Sequence, residues 1–412
     1  MQVRLGNIHD IPTEVVMLMR IFFLGDAEPR LVLGSAAALA MKGHDVFHVS
    51  PSKNLFPSFA EKIQVEVYEG LRVPINRIDI PVIGEKNLAG REISPQGVSA
   101  SVLTLLKEVS PDVIVSYPES WMLARSLSKK LYIPLVLYLV GIRALYLFTY
   151  LQFFHKYSDI LRAPFSCTYN VALSELSDFT IAPKKTVKFL RYFGIRRVAA
   201  LRPLFARVNF SSERVRRGTN IELPESYVLS IATVSRDRNP EIDLGVFRIV
   251  MAIARKTPDV FFVVVGTSIS DLTNLGKASA LPGNVRLVGK IFDDDLLAVM
   301  YRKAKCVLCP IVYPGLSTRV DEALFYKRPI VMTKTTADSY GALVDHENCI
   351  VEQDFGKWPA KVLQVMDDSE LRKKLEVGAE RYYAEVCSPK RHALILEQIL
   401  NYVVEYAQAR KN

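Results

Sequence analysis

Short apolar runs alternating with helix-length segments predict an α/β protein of two doubly wound units, each a parallel sheet with helices on both faces. Three observations lead there. The order strand, turn, helix, strand opens the chain at Met19-Arg20-Ile21-Phe22-Phe23-Leu24-Gly25 and recurs to about residue 205. A second series of the same kind begins at Tyr227-Val228-Leu229-Ser230-Ile231-Ala232. The length of 412 residues, 50% of them hydrophobic, suffices for two cores at about 200 residues per domain.

Taken in order, residues 1–18 read as an N-terminal extension that matters little to the fold. They carry Arg4, His9, Asp10 and Glu14 and lack the apolar core of a cleavable signal peptide, which predicts cytoplasmic chemistry. After the first strand and the turn Asp26-Ala27-Glu28-Pro29-Arg30, the small and apolar segment 31–41 reads as a helix, and Gly43-His44 closes it before a second strand. The pattern returns with a strand ending at Ser116, a helix over 121–131, a strand from Ile133 to Val140, a strand over 179–182 and a helix over 184–193. The first domain is expected to span 19–205. In the second, expected over 206–385, a helix over 242–256 is followed by strands at 260–266, 285–288, 306–310, 330–333 and 349–351. Helices over 367–385 and 388–411 end the chain.

Charge is distributed unevenly. The formal net charge is +10, and residues 125–217 hold 17 Lys or Arg against only Asp159, Glu175, Asp178 and Glu213. Such a segment suits an anionic membrane surface or a phosphorylated substrate, and no nucleic acid is expected. The stretch 131–154 contains a single charge, Arg143. It reads as a buried strand broken at Gly141 and an aromatic helix over 144–157, rather than as a membrane span. The aromatics of that helix are too many for one narrow core stripe, which leaves two readings, a helix lying in a bilayer interface and a wholly buried one. The five cysteines show no paired metal spacing; Cys306 and Cys309 sit in an apolar strand and read as small buried residues. No metal site and no cofactor are expected.

The most specific segment is 284–333. A strand over Val285-Arg286-Leu287-Val288 ends at Gly289-Lys290, an acidic helix start and the strand Cys306-Val307-Leu308-Cys309 follow, and then comes Tyr313-Pro314-Gly315-Leu316-Ser317-Thr318-Arg319-Val320-Asp321-Glu322-Ala323-Leu324. A small-residue loop that opens a helix brings backbone amides and a helix dipole to phosphate, and a carboxylate one to two turns later is placed to accept the two hydroxyls of a ribose. This order of parts resembles the donor half of GT-B glycosyltransferases, the large family 4 group in particular. The strand, helix, Gly-His, strand opening is similar to their acceptor half.

The resemblance implies the GT-B fold, with two Rossmann-like domains facing across a cleft and a terminal helix, 386–412, crossing back to the first domain. It implies a metal-independent transfer from a nucleoside diphosphate sugar of UDP or GDP type. Arg236 and Arg238, in the loop after the first strand of the second domain, match the cations that hold the diphosphate, although their spacing is not the family's. Gly315, Leu316, Ser317, Thr318 and Arg319 match the phosphate loop, and Glu322 the ribose carboxylate. Gly266 and Lys290 fall in loops that border the nucleotide. The family's first glutamate falls here on Pro314, which leaves the retaining or inverting outcome open. An inverting enzyme needs a base, for which Asp26, Glu28 and Glu119 at first-domain strand ends are the candidates. Arg143 stands where the family often has a histidine.

With the basic first domain and the aromatic helix, the acceptor is expected to be a membrane-associated, lipid-linked saccharide in glycan or cell-surface polysaccharide assembly, used by a protein peripheral on the cytoplasmic face. Two other readings keep the fold: a sugar-nucleotide epimerase, and a nucleotide-sugar-binding subunit without catalysis. A dehydrogenase is excluded by the turn Gly25-Asp26-Ala27-Glu28-Pro29, which lacks the glycine spacing of a dinucleotide fingerprint.

Overall fold

The computed structural model of the protein describes residues 18–25, 29–52, 58–68, 71–81, 100–140, 167–209, 222–234, 240–274, 281–291, 293–312 and 316–410. The aromatic segment 144–157 and Arg143 lie outside them.

The first sheet has nine strands in the order β8-β7-β6-β5-β1-β2-β4-β3-β9. They are β1 (Arg20–Leu24), β2 (Asp45–Ser52), β3 (Ser58–Tyr68), β4 (Leu71–Pro81), β5 (Val113–Ser116), β6 (Leu135–Tyr138), β7 (Phe179–Ala182), β8 (Val198–Ala200) and β9 (Arg207–Asn209). The central β1 explains why the first strand reads as an unbroken apolar run. Ile21 and Phe23 face one helical layer while Phe22 and Leu24 face the other, and all four are fully buried. Each such side chain contributes roughly 1.5–3 kcal/mol. Helix α1 (Pro29–Ala40) covers the first side, α2 (Ala100–Val109), α3 (Trp121–Leu131) and α4 (Lys184–Tyr192) the second.

Two features depart from the expected pattern. The β3–β4 hairpin was not anticipated, and β3 runs antiparallel to both β4 and β9, so the sheet is mixed at that edge. Strand β9 also carries the first sheet past residue 205 to Asn209.

The second sheet is parallel throughout, in the order β12-β11-β10-β13-β14-β15. Its strands are β10 (Val228–Ile231), β11 (Phe262–Val265), β12 (Val285–Gly289), β13 (Cys306–Cys309), β14 (Ile330–Met332) and β15 (Ile350–Val351). The helices are α5 (Pro240–Lys256), α6 (Ile269–Asn274), α7 (Asp294–Lys303), α8 (Thr318–Phe325), α9 (Lys334–Tyr340), α10 (Trp358–Asp367) and α11 (Ser369–Val386). Strand alternation sends Cys306 and Cys309 into the cores on opposite faces of β13. Burial pushes the Cys309 thiol up to about 12 and raises Cys306 as well, so both stay protonated.

The last helix, α12 (Pro389–Ala409), returns to the first domain. Leu396, Leu400, Val403 and Val404 join the core beneath α1, His392 Nε2 lies 3.1 Å from Ser35 Oγ, and Glu397 bonds both His44 and Lys42. Helix α1 in turn lies tight against the segment between β8 and β9. A Cβ built on Gly34 would stand 2.0 Å from the Leu204 carbonyl oxygen, so only glycine permits this approach.

Candidate active site between the domains

In parallel α/β sheets the helix that follows a strand starts at that strand's carboxyl end, so the first turns of α1, α7 and α8 mark where ligands bind. Here they meet. Arg30, in the first turn of α1, reaches across to Asp294, at the start of α7, and to Glu322, in α8. The carboxyl ends of the two sheets therefore face one another across this contact.

Glu322 is 5% exposed. One carboxylate oxygen, Oε1, accepts from Arg30, and the other, Oε2, accepts from the Tyr301 hydroxyl at 2.5 Å. Burial raises its pKa, and the Arg30 charge works against that rise. Asp294 is raised for the same reason, again opposed by Arg30. Burial disfavours the charge on Arg30, yet the two carboxylates more than offset it and hold the guanidinium above its ordinary value. The acidic start of α7 is built locally: Asp293 caps the helix by accepting from the amides of Asp295 (2.8 Å) and Leu296 (3.1 Å).

The loop into α8 is held from below. The Ser317 amide donates to the Tyr340 hydroxyl at 2.9 Å, and that hydroxyl donates back to the Ser317 carbonyl. This amide is therefore spent on the scaffold, while the Ser317 side chain makes no capping bond to the helix. Thr318 and Arg319 are half-buried beside it, and the Arg319 charge acts on both Cys309 and Glu322, favouring their ionised forms. Leu316 packs its side chain on the second-domain core.

Gly266 sits at the carboxyl end of β11 with φ 99°. A Cβ there would come within 2.7 Å of Thr233 Oγ1 and 2.9 Å of the Ala232 carbonyl oxygen, so this position requires glycine for the turn itself. Thr267 ties the same turn to β10, its hydroxyl donating to the Ala232 carbonyl. Lys290, at the end of β12, is exposed and near Asp271. In the first domain Glu119 follows β5 in an exposed turn, its Oε1 3.1 Å from where a Gly25 Cβ would stand. That places it beside the end of β1. Asp26, Glu28, Arg236, Arg238 and Gly315 lie outside the described residues.

The structure thus brings Ser317, Thr318, Arg319 and Glu322 together, sets Gly266 and Lys290 on neighbouring strand ends, and puts Glu119 on the opposite domain. Sequence reasoning missed Arg30, Asp294 and Tyr301. The acidic run Asp293-Asp294-Asp295 and the pair Asp321-Glu322 were the available signals, since buried acids require cations. Their partners are far away in the chain.

Asp321 shows this too. It is 2% exposed and pairs with Arg202 of the first-domain segment between β8 and β9, which also bonds the Tyr382 hydroxyl at 3.0 Å and stacks over the Tyr340 ring, 5.0 Å from its centroid. A third arginine, Arg207 on β9, joins Glu66 at 3.2 Å and Asp295. Among the described residues no group of three or more His, Cys, Asp or Glu is placed to hold a metal ion.

Residues 225–368 match the family described as glycosyl transferases group 1. No curated protein is similar enough in sequence to match. Among solved structures, sucrose-phosphate synthase from Thermosynechococcus elongatus superposes with a TM-score of 0.64 at 14% identity, over 94% of this chain and 100% of that one. HepE of Anabaena in complex with UDP-glucose gives 0.59 at 13% identity, over 93% and 100%. The UDP-forming α,α-trehalose-phosphate synthase from Burkholderia xenovorans gives 0.57 at 12% identity, over 94% and 99%. These likenesses agree with the two facing sheets, and the chain is a GT-B-fold protein whose second domain carries the glycosyl transferases group 1 family match.

Proposed function

We propose that the protein is a glycosyltransferase that moves a sugar from a nucleoside diphosphate sugar of UDP or GDP type to an acceptor held by the first domain. The observation that carries this reading is the placement of Glu322 on α8, behind the Ser317-Thr318-Arg319 turn and at the meeting of the two domains. A ribose takes the Glu322 carboxylate, and Arg319 with Arg236 and Arg238 meets the diphosphate.

As the bond between sugar and diphosphate breaks, negative charge grows on the departing phosphate and positive charge on the sugar ring. In this reading those arginines and the α8 dipole stabilise the phosphate, without need of a metal ion. The acceptor hydroxyl attacks the sugar from the first-domain side. If the outcome is inverting, Glu119, Asp26 or Glu28 takes its proton. Gly266 shapes the turn on which the donor rests, and Lys290 borders the base.

For the acceptor we favour a lipid-linked saccharide at an anionic membrane surface. Helix α4 presents Lys184, Lys185, Lys188 and Arg191 to solvent, next to Tyr192 and Phe193, which are 86% and 51% exposed. Cations interleaved with exposed aromatics suit the headgroup region of a cytoplasmic leaflet. Among the described residues no helix is long and apolar enough to cross a membrane, so the contact is peripheral in this reading.

A second reading, a nucleotide-sugar-binding subunit, draws support from Pro314 at the position of the family's first glutamate. One experiment separates the two. The protein is incubated with UDP-, GDP- and ADP-sugars, with and without a detergent-solubilised lipid-linked acceptor, and release of nucleoside diphosphate is scored. Acceptor-dependent release that disappears in an Arg319→Ala, Glu322→Ala double variant is the expected result; binding without turnover supports the subunit, and no binding overturns the nucleotide site.

A further inference from the structure

Resting on the assignment of Glu322 to the donor ribose, we propose that Arg30 competes with the nucleotide for that carboxylate, so that a first-domain arginine sets donor affinity. The argument starts from the carboxylate. Both of its oxygens are engaged, Oε1 by Arg30 and Oε2 by Tyr301, and its side chain is 7% exposed. Each oxygen can accept a further bond, but at this exposure the carboxylate offers a diol no open face, so Arg30 or Tyr301 must move aside for a ribose to reach it.

The bond to Tyr301 is the less able to break. Tyr301 lies on α7 of the same domain, is fully buried in the second-domain core, and stacks on Tyr326 at 5.2 Å. Arg30 belongs to the other domain, on the helix turn after the loop 26–28, and its side chain is 27% exposed. A long side chain on a separate rigid body leaves the site more readily than a buried ring.

Asp294 makes the exchange affordable. Arg30 grips Glu322 through Nη1 and Asp294 through Nη2, so a guanidinium displaced from Glu322 keeps one carboxylate partner. The charge is not stranded in a half-buried site, where it would be costly. Asp294 stands on the same domain as Glu322, so Arg30 still bridges the two domains after the exchange. Linkage then runs both ways: nucleotide opposes the latched state, and latching opposes nucleotide.

The test compares wild type with Arg30→Gln, Asp294→Asn and Glu322→Gln, using calorimetric titration with UDP, GDP and ADP and thermal melting of the nucleotide-free proteins. Arg30→Gln is expected to bind the preferred diphosphate about fivefold or more tightly, in the range of ordinary coupling between sites. Asp294→Asn, which removes the carboxylate that a displaced Arg30 falls back on, shifts affinity the opposite way by less.

A residue with a merely structural role lowers the melting temperature and leaves affinity unchanged. Unchanged or weaker binding by Arg30→Gln, with wild type binding normally, overturns the latch alone. Wild-type binding that survives Glu322→Gln, or no binding by any of the four proteins, overturns the ribose assignment and the latch with it.

Discussion

Two consecutive acids on α8 each bind an arginine from the first domain, with different surroundings. Asp321 meets Arg202 in a more enclosed joint, with Tyr340 and Tyr382 around the guanidinium, whose side chain is 17% exposed against 3% for Asp321. Glu322 meets Arg30 at the cleft, where the arginine is 27% exposed and shares itself with a second acid. Successive helix positions point about 100° apart, so one turn of helix serves both the joint and the site. The lesson is that a domain contact and a ligand contact differ less in chemistry than in access. On the proposal above, the more enclosed pair holds the domains together and the more exposed one exchanges with ligand.

The largest effect should come from breaking the more enclosed pair. Arg202→Ala leaves Asp321 buried without its cation, which costs roughly 3–5 kcal/mol; chemical denaturation should show this loss. Replacing both partners by apolar residues of similar volume should recover most of it, because neither charge is then stranded. Next, Asp321→Asn against Glu322→Gln sharpens the contrast. The first should lower stability by about 1–3 kcal/mol, by leaving Arg202 with a weaker partner, and spare nucleotide affinity. The second should do the reverse, and melting with and without nucleoside diphosphate reads both.

A pH effect belongs to the more enclosed side. His392 is buried beside Ser35, and burial, reinforced by the Arg202 charge, lowers its pKa to about 3 from 6.5. The folded state therefore holds the ring neutral while the unfolded chain takes up a proton below about pH 6.5. Its contribution to stability is complete above that value and is lost progressively as pH falls towards 3. Between pH 6.5 and 5 the loss is on the order of 2 kcal/mol. His392→Gln should flatten this part of a stability-against-pH curve measured by urea unfolding.

How much of this was legible in the chain depends on how local each feature is. Parallel strands buried on both faces read as plain apolar runs, which is why β1, β7 and β13 lie within a residue or two of expectation. The β3–β4 hairpin alternates inward Ile63, Val65 and Val67 with outward Lys62 and Gln64, a period that was available. Pro74 and Pro81 in β4 obscure it, and the pairing of β3 with β9 joins residues over a hundred positions apart. At the site, the loop-helix-glutamate pattern exposed Glu322 because its parts are adjacent. Arg30 is 292 residues away from Glu322, and nothing local marks one arginine as its partner. Nor does sequence say which of Asp321 and Glu322 faces the joint, since that follows from how the first domain sits on α8.

The smallest expected effect is also the most discriminating. Arg30→Gln should cost the nucleotide-free protein about 1–2 kcal/mol, because two largely buried carboxylates lose their cation but retain hydrogen-bond donors. Glu322 keeps the Tyr301 hydroxyl, and glutamine can still donate to one of the two carboxylates. Arg202→Ala, on the neighbouring pair, should cost more. If the two variants proved equally destabilising by denaturant titration, the cleft pair would be a second structural clamp and the distinction by access would fail. If Arg30→Gln proves the milder in stability while shifting nucleotide affinity, then access to solvent, and not the strength of the bond, decides which of the two pairs the protein can afford to exchange.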